Sequence, residues 1–62
     1  MKILIIGKSG QLGQSIKKVA PKVRSNDEFI FVGRDELDLN NTSSIRNYFN
    51  KRNFDIIINC AA

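Results

Sequence analysis

The chain has 62 residues, 42% of them apolar and 26% charged, with a formal net charge of +4. A chain of this size buries only about 60% of the surface its unfolded form exposes, too little for a self-contained enzyme, although the composition is that of an ordinary soluble globular protein. The excess positive charge falls on two helical patterns, with Lys17, Lys18, Lys22 and Arg24 on one and its exit and Arg46, Lys51 and Arg52 on the other; without aromatic interleaving this reads as solvated helix faces and excludes a nucleic-acid partner.

Residues Lys2–Ile6 are a short isoleucine and leucine run ending at Gly7, the pattern of a strand buried on both faces of a parallel sheet. Its apolar core is far too short for a membrane span or a signal peptide, so no membrane partner is expected. The single cysteine, Cys60, has no partner for an internal disulfide, which is compatible with a reducing compartment and a cytoplasmic location.

Gly7-Lys8-Ser9-Gly10-Gln11-Leu12-Gly13 follows this strand and opens into a helical pattern. A strand that ends in glycines and turns directly into a helix converges backbone N–H groups and the positive end of the helix dipole on one point, which suits a pyrophosphate. Gly7 would let the chain turn off the strand, Gly10 would remove a Cβ that holds a phosphate away, and Gly13 would let the helix lie close on the sheet. The spacing is GxxGxxG, one residue wider at the first gap than the dinucleotide fingerprint, and the GxxxxGK[ST] phosphate loop is absent, so Lys8 is not a triphosphate-binding lysine.

From Gln11, the apolar residues Leu12, Ile16, Val19 and Ala20 recur at helical spacing, and Pro21 closes the helix at Ala20. Ser25-Asn26-Asp27 reads as a turn. Glu28–Val32 is a second apolar strand ended by Gly33, Asn40-Asn41-Thr42 supplies helix-cap residues, and Ile45, Phe49 and Tyr48 mark the inner face of a second helix running to about Arg52. Residues 55–59 form a third, buried strand. The order βαβαβ is α/β and is half of a doubly wound parallel sheet. The sequence ends as this strand runs out, before any turn or cap, so it reads as the N-terminal part of a larger protein.

Ligand positions follow from that frame. The place at the end of the second strand where a dinucleotide fold carries an acid for the ribose hydroxyls is here Gly33-Arg34. Arginine cannot accept from a 2′-hydroxyl but pairs with a 2′-phosphate, which implies NADPH; Asp35 and Glu36 follow closely and leave NADH open. Asp38 can accept from an adenine amino group while Leu39 covers the ring, or serve as a turn aspartate. Cys60, Ala61 and Ala62 are small and leave room for a ligand over the third strand's carboxyl end. Cys60 itself reads as a packed thiol, because the chain has no histidine to activate it.

The glycine turn, Asp38-Leu39 and Ile57-Ile58-Asn59-Cys60-Ala61-Ala62 together resemble the start of the dTDP-4-dehydrorhamnose reductases, a group of extended short-chain dehydrogenases/reductases. The resemblance covers essentially the whole chain. It implies that residues 1–62 are the N-terminal part of an NAD(P)-binding Rossmann domain, with the remainder and a sugar-nucleotide domain elsewhere. It further implies a nucleotide-sugar substrate, reduction of dTDP-4-dehydro-L-rhamnose to dTDP-L-rhamnose with NADPH or NADH, and, in some members, Mg2+ at a homodimer interface. Carried onto this sequence, Gly10, Gln11 and Leu12 bind the pyrophosphate through their backbone, with Gly7 and Gly13 shaping the turn. Asp38 and Leu39 hold the adenine, and Ala61 and Ala62 begin the segment beside the nicotinamide ribose. Gly33-Arg34 departs from the acid of some relatives and favours NADPH. The family's Ser or Thr and its Tyr-x-x-x-Lys pair are not in this chain: Tyr48 has Lys51 three residues on and Arg52 four residues on. No catalytic residue and no metal ligand is expected here, and the chain alone is expected to be inactive. A sugar-nucleotide epimerase or dehydratase, a non-catalytic dinucleotide-binding module and a structural fragment that pairs with itself remain as other readings.

Overall fold

A computed structural model describes residues 1–23 and 26–61. The chain runs β1 (Lys2–Ile6), α1 (Gln11–Val19), a 3-10 turn (Ala20–Lys22), β2 (Glu28–Val32), α2 (Thr42–Phe49) and β3 (Ile56–Asn59). The sheet is parallel, in the order β2-β1-β3. Lys2 lies beside Glu28 and Ile6 beside Val32 on one side of β1, and Ile3 lies beside Ile56 and Ile6 beside Asn59 on the other. The expected α/β architecture is therefore present, and β1 and β2 have the expected bounds. The turn expected at residues 25–27 begins at Ser25, which lies outside the described residues.

The strand order has a consequence for the site. The chain steps from β1 to β2 on one side and then returns across β1 to β3 on the other. The reversal puts a switch point at the carboxyl end of β1, where open α/β sheets bind ligands.

The core forms where alternation along the strands meets α2. Leu4, Ile6 and Val32 share a face and pack with Leu37 into a buried cluster, against which Ile30, Ile45, Tyr48, Phe49 and Phe54 are half-buried. Tyr48 and Phe54 stack at 6.2 Å, and Phe49 meets each of the two rings edge-on, the arrangements that ring quadrupoles favour. Tyr48 is thus a packing residue. Asn41 caps α2 by accepting the Ser44 N–H at 3.2 Å through its side chain. The helix ends at Phe49, short of Arg52, because Arg52 has turned back. Its guanidinium donates to the Tyr48 carbonyl at 2.9 Å and lies 4.3 Å from the Tyr48 ring centre.

Of the apolar residues at helical spacing from Gln11, Ile16 and Ala20 are half-buried, and Leu12 and Val19 are exposed. One expectation about burial is corrected. The third strand is expected to be buried, and all four residues of β3 are exposed, because β3 lies at an edge of the sheet and contributes no residue to the cluster that α2 covers. Pro21 does end the α-helix where expected, and the chain continues through it as a 3-10 turn. No helix among the described residues is long and apolar enough to cross a membrane.

Candidate functional site

The glycine turn is held by hydrogen bonds and by close contacts. Gly7 and Lys8 both donate their N–H groups to the Val32 carbonyl, at 3.0 and 3.1 Å, so the turn is fastened to the end of β2. Gly10 donates to the Gly7 carbonyl at 3.1 Å and caps α1 with no side-chain hydrogen bond. Gln14 steadies the turn from within the helix, its side-chain amide donating to the Ser9 carbonyl at 2.8 Å. The first turn of α1 thereby presents the N–H groups of Gln11, Leu12 and Gly13, which a helix cannot satisfy internally.

The three glycines differ in what a side chain would meet. Gly7 has φ +94°, and a Cβ there would lie 2.7 Å from the Ala61 nitrogen and 2.8 Å from the Cys60 carbonyl carbon. At Gly13 a Cβ would collide with the Gly7 carbonyl oxygen and lie 3.1 Å from Lys8 Cα. These two are required by the fold. At Gly10 the nearest atoms are 3.5 and 3.6 Å away, ordinary contact distances, and the backbone is extended at φ −75°. The fold leaves room for a methyl group at Gly10, in ordinary contact with the Cys60 and Gly7 carbonyl oxygens.

That space belongs to a cleft of about 540 Å³, within the range of small-molecule sites. Ile6, Gly7, Ser9 and Gly10 form one wall, Gly33, Arg34, Asp35 and Leu37 a second, Leu39 and Asn40 a third, and Cys60 and Ala61 close it from β3. Of the residues expected to bind a cofactor, the cleft brings together Gly7, Gly10, Arg34, Leu39 and Ala61. Gln11, Leu12 and Gly13 stand behind Gly10 in α1, with Gln11 and Leu12 exposed and Gly13 buried. Asp38 is outside the lining: its Oδ1 accepts the Asn40 N–H at 3.0 Å and its own N–H donates to the Ser44 hydroxyl at 3.0 Å, so it shapes the loop that presents Leu39 and Asn40. Ala62 lies outside the described residues. Cys60 is half-buried and donates its N–H to the Ile6 carbonyl at 2.7 Å, continuing the β1–β3 pairing to the rim of the cleft.

Several wall residues were not expected from the sequence. Leu37 is 2% exposed and anchors the second wall in the core, with its N–H on the Gly33 carbonyl at 3.0 Å. The signal was a lone leucine in the polar run Arg34-Asp35-Glu36. Ser9, Asp35 and Asn40 line the cleft by lying next to residues that were singled out. The Lys8–Glu36 ion pair, at 2.9 Å, had no sequence signal, because 28 positions separate its partners. The hydrogen bond to Glu36, and then its charge, hold the Lys8 ammonium above the usual lysine range. The same bond, followed by the Gly33 N–H donated to Glu36 at 3.0 Å, holds the Glu36 carboxyl below the usual carboxylate range.

The comparisons with known proteins agree with this geometry. The RmlD substrate binding domain family matches residues 1–62. No curated protein matches the chain. Among solved structures, the crystal structure of a dTDP-4-dehydrorhamnose reductase from Clostridium acetobutylicum is similar, with a TM-score of 0.83 and 40% sequence identity over 100% of this chain. The chain spans 21% of the length of that protein. With the family match running over every residue and the fold shared with the reductase, the chain belongs to the RmlD substrate binding domain family.

Proposed function

We propose that residues 1–62 are the N-terminal, dinucleotide-binding part of a cytoplasmic NADPH-dependent reductase that converts dTDP-4-dehydro-L-rhamnose to dTDP-L-rhamnose. The observation that carries this reading is that Gly10 lines the cleft although the fold does not require a glycine there. Gly7 and Gly13 are glycines because protein atoms occupy the Cβ position, whereas a Cβ at Gly10 would meet only ordinary contacts with two carbonyl oxygens. A site that cradles a pyrophosphate against a helix N-terminus needs close backbone approach at such a position.

In this reading the N–H groups of Gln11 and Leu12 hold the pyrophosphate beside Gly10, whose own N–H is on the Gly7 carbonyl, and the positive end of α1 favours its charge. Arg34 pairs with a 2′-phosphate on the adenosine ribose. Leu39 covers the adenine, and Asp38, outside the lining, shapes the loop that presents Leu39. Gly7 lets Ala61 run close, beside the nicotinamide ribose. The nicotinamide, when bound, supplies the hydride. The residues of this chain bind and orient it and contribute no acid, since the one tyrosine is packed against Phe49 and Phe54. Among the described residues no three His, Cys, Asp or Glu gather to hold a metal.

The test is a titration of the 62-residue chain with NADPH, followed by nicotinamide fluorescence. We expect saturable binding, weaker binding of NADH, and no NADPH oxidation on addition of a dTDP-4-keto sugar. A flat titration would overturn the dinucleotide reading. Turnover by the chain alone would overturn its assignment as a binding part without catalytic groups.

A further inference from the structure

Two stretches make the facing walls of the cleft, residues 6–10 and residues 33–37. Each has one residue that does not line it. Ile6, Gly7, Ser9 and Gly10 face the cleft but Lys8 does not, and Gly33, Arg34, Asp35 and Leu37 face it but Glu36 does not. The two missing residues are both charged, and they are bonded to each other: Lys8 Nζ lies 2.9 Å from Glu36 Oε1. Glu36 instead borders a separate recess with Ser44, Asn47, Tyr48 and Arg52.

The pair is built into the backbone at both ends. Glu36 Oε2 accepts the Gly33 N–H at 3.0 Å, and the Lys8 N–H donates to the Val32 carbonyl at 3.1 Å. Between these anchors the lysine stem crosses Gly33, where a Cβ would stand 3.0 Å from Lys8 Cε and 3.4 Å from Cγ. Gly33 therefore makes room for the lysine chain. Hydrogen bonding within the pair also keeps both groups ionised, with the lysine raised and the glutamate lowered from their ordinary ranges.

We propose that the Lys8–Glu36 pair is a strap that sets the ribose preference of the cleft, by holding a carboxylate and an ammonium out of it and leaving Arg34 and Asp35 as the charged residues of its lining. The inference rests on the dinucleotide reading above. A free Glu36 beside Arg34 would accept from a 2′-hydroxyl and repel a 2′-phosphate. A free Lys8 beside Arg34 would do the reverse. Bound to each other, the two cancel. Lys8 and Glu36 are positioning residues, since neither lines the cleft.

The strap makes a prediction that a merely structural ion pair does not. Lys8→Met and Glu36→Gln break the same bond, so a structural role would weaken NADPH and NADH binding alike in both variants. If the strap sets preference, the variants move the NADPH-to-NADH affinity ratio in opposite directions. Lys8→Met frees the carboxylate and lowers the ratio by about threefold, whereas Glu36→Gln frees the ammonium and raises it by about threefold, as exposed charges do. Affinities of the full 62-residue chain and both variants for NADPH and for NADH are measured side by side at low salt, with circular dichroism to verify the fold. The double variant, lacking both charges, returns the ratio to that of the parent and keeps the test informative if one single variant is poorly folded. Parent binding with a ratio that is unmoved, or that moves the same way in both variants, overturns the strap and leaves the dinucleotide reading standing. Failure of the parent to bind either dinucleotide overturns both.

Discussion

At Gly10 and Gly13 the same residue type, three positions apart on one turn, serves opposite needs. Gly13 is required by the chain itself, since a methyl group there meets the Gly7 carbonyl oxygen and Lys8 Cα, both backbone atoms that cannot rotate away. Gly10 is free of such contacts and is constrained only by whatever enters the cleft. Gly13→Ala should force α1 off the turn at a cost of about 1–3 kcal/mol or more, a large share of the stability of so small a domain. Gly10→Ala should change stability by about 1 kcal/mol at most, the scale of an N-cap effect, and yet lower NADPH affinity about tenfold or more by standing a methyl group where the pyrophosphate lies. Thermal melts and NADPH titrations on the two variants separate these outcomes. A Gly10→Ala variant that binds as the parent does would remove the observation on which the functional reading stands.

At the level of the elements, α2 covers the sheet face that carries the Leu4, Ile6, Val32 and Leu37 cluster, so its stability is coupled to the core. Its entry depends on Asn41, whose side chain satisfies one of the N–H groups that a helix start leaves unpaired. Asn41→Ala should cost about 1 kcal/mol, and for a domain of this size that lowers the melting temperature by about 4–8 °C, while Asn41→Asp retains the cap and most of the stability. Equal melting of all three forms would show that the aromatic packing alone holds the helix. This cap was legible in the sequence, as were β1 and β2, because Asn before a helical period and short isoleucine runs are local signals. What was not legible depends on partners far away. The end of α2 at Phe49 is set by Arg52 folding back on Tyr48, the burial of Leu37 by the core it plugs, and the exposure of Leu12 and Val19 by which part of α1 meets the sheet. The glycine turn was read correctly as a loop between β1 and α1, but the pairing of Lys8 with Glu36 could be seen only once β2 lay beside β1.

Across the whole molecule, strand order decides both where a ligand fits and where the surface is unprotected. Placing β1 between β2 and β3 opens the cleft at the carboxyl end of β1, and among the described residues it also leaves β3 with one unpaired edge. The outer edge of β2 is the better protected of the two, since Phe29, Ile30 and Phe31 are half-buried, whereas Ile56, Ile57 and Ile58 are all exposed, Ile57 at 51%. A straight edge strand of exposed isoleucines, with no proline and no charge within Ile56–Asn59, is a template for pairing with another copy. Ile57 lies beside Leu4 in the register, on the α2 face, but is itself half exposed and outside the buried cluster. Ile57→Lys should therefore leave the core and the cleft intact while placing a charge on the edge. In sedimentation experiments over a rising concentration series, the parent chain should self-associate and the Ile57→Lys variant should remain monomeric with an unchanged circular dichroism spectrum. A parent that stays monomeric throughout would show that three exposed isoleucines on so short a strand are too little to join two sheets. Association that persists in the variant would move the contact to the exposed Leu12 and Val19 of α1.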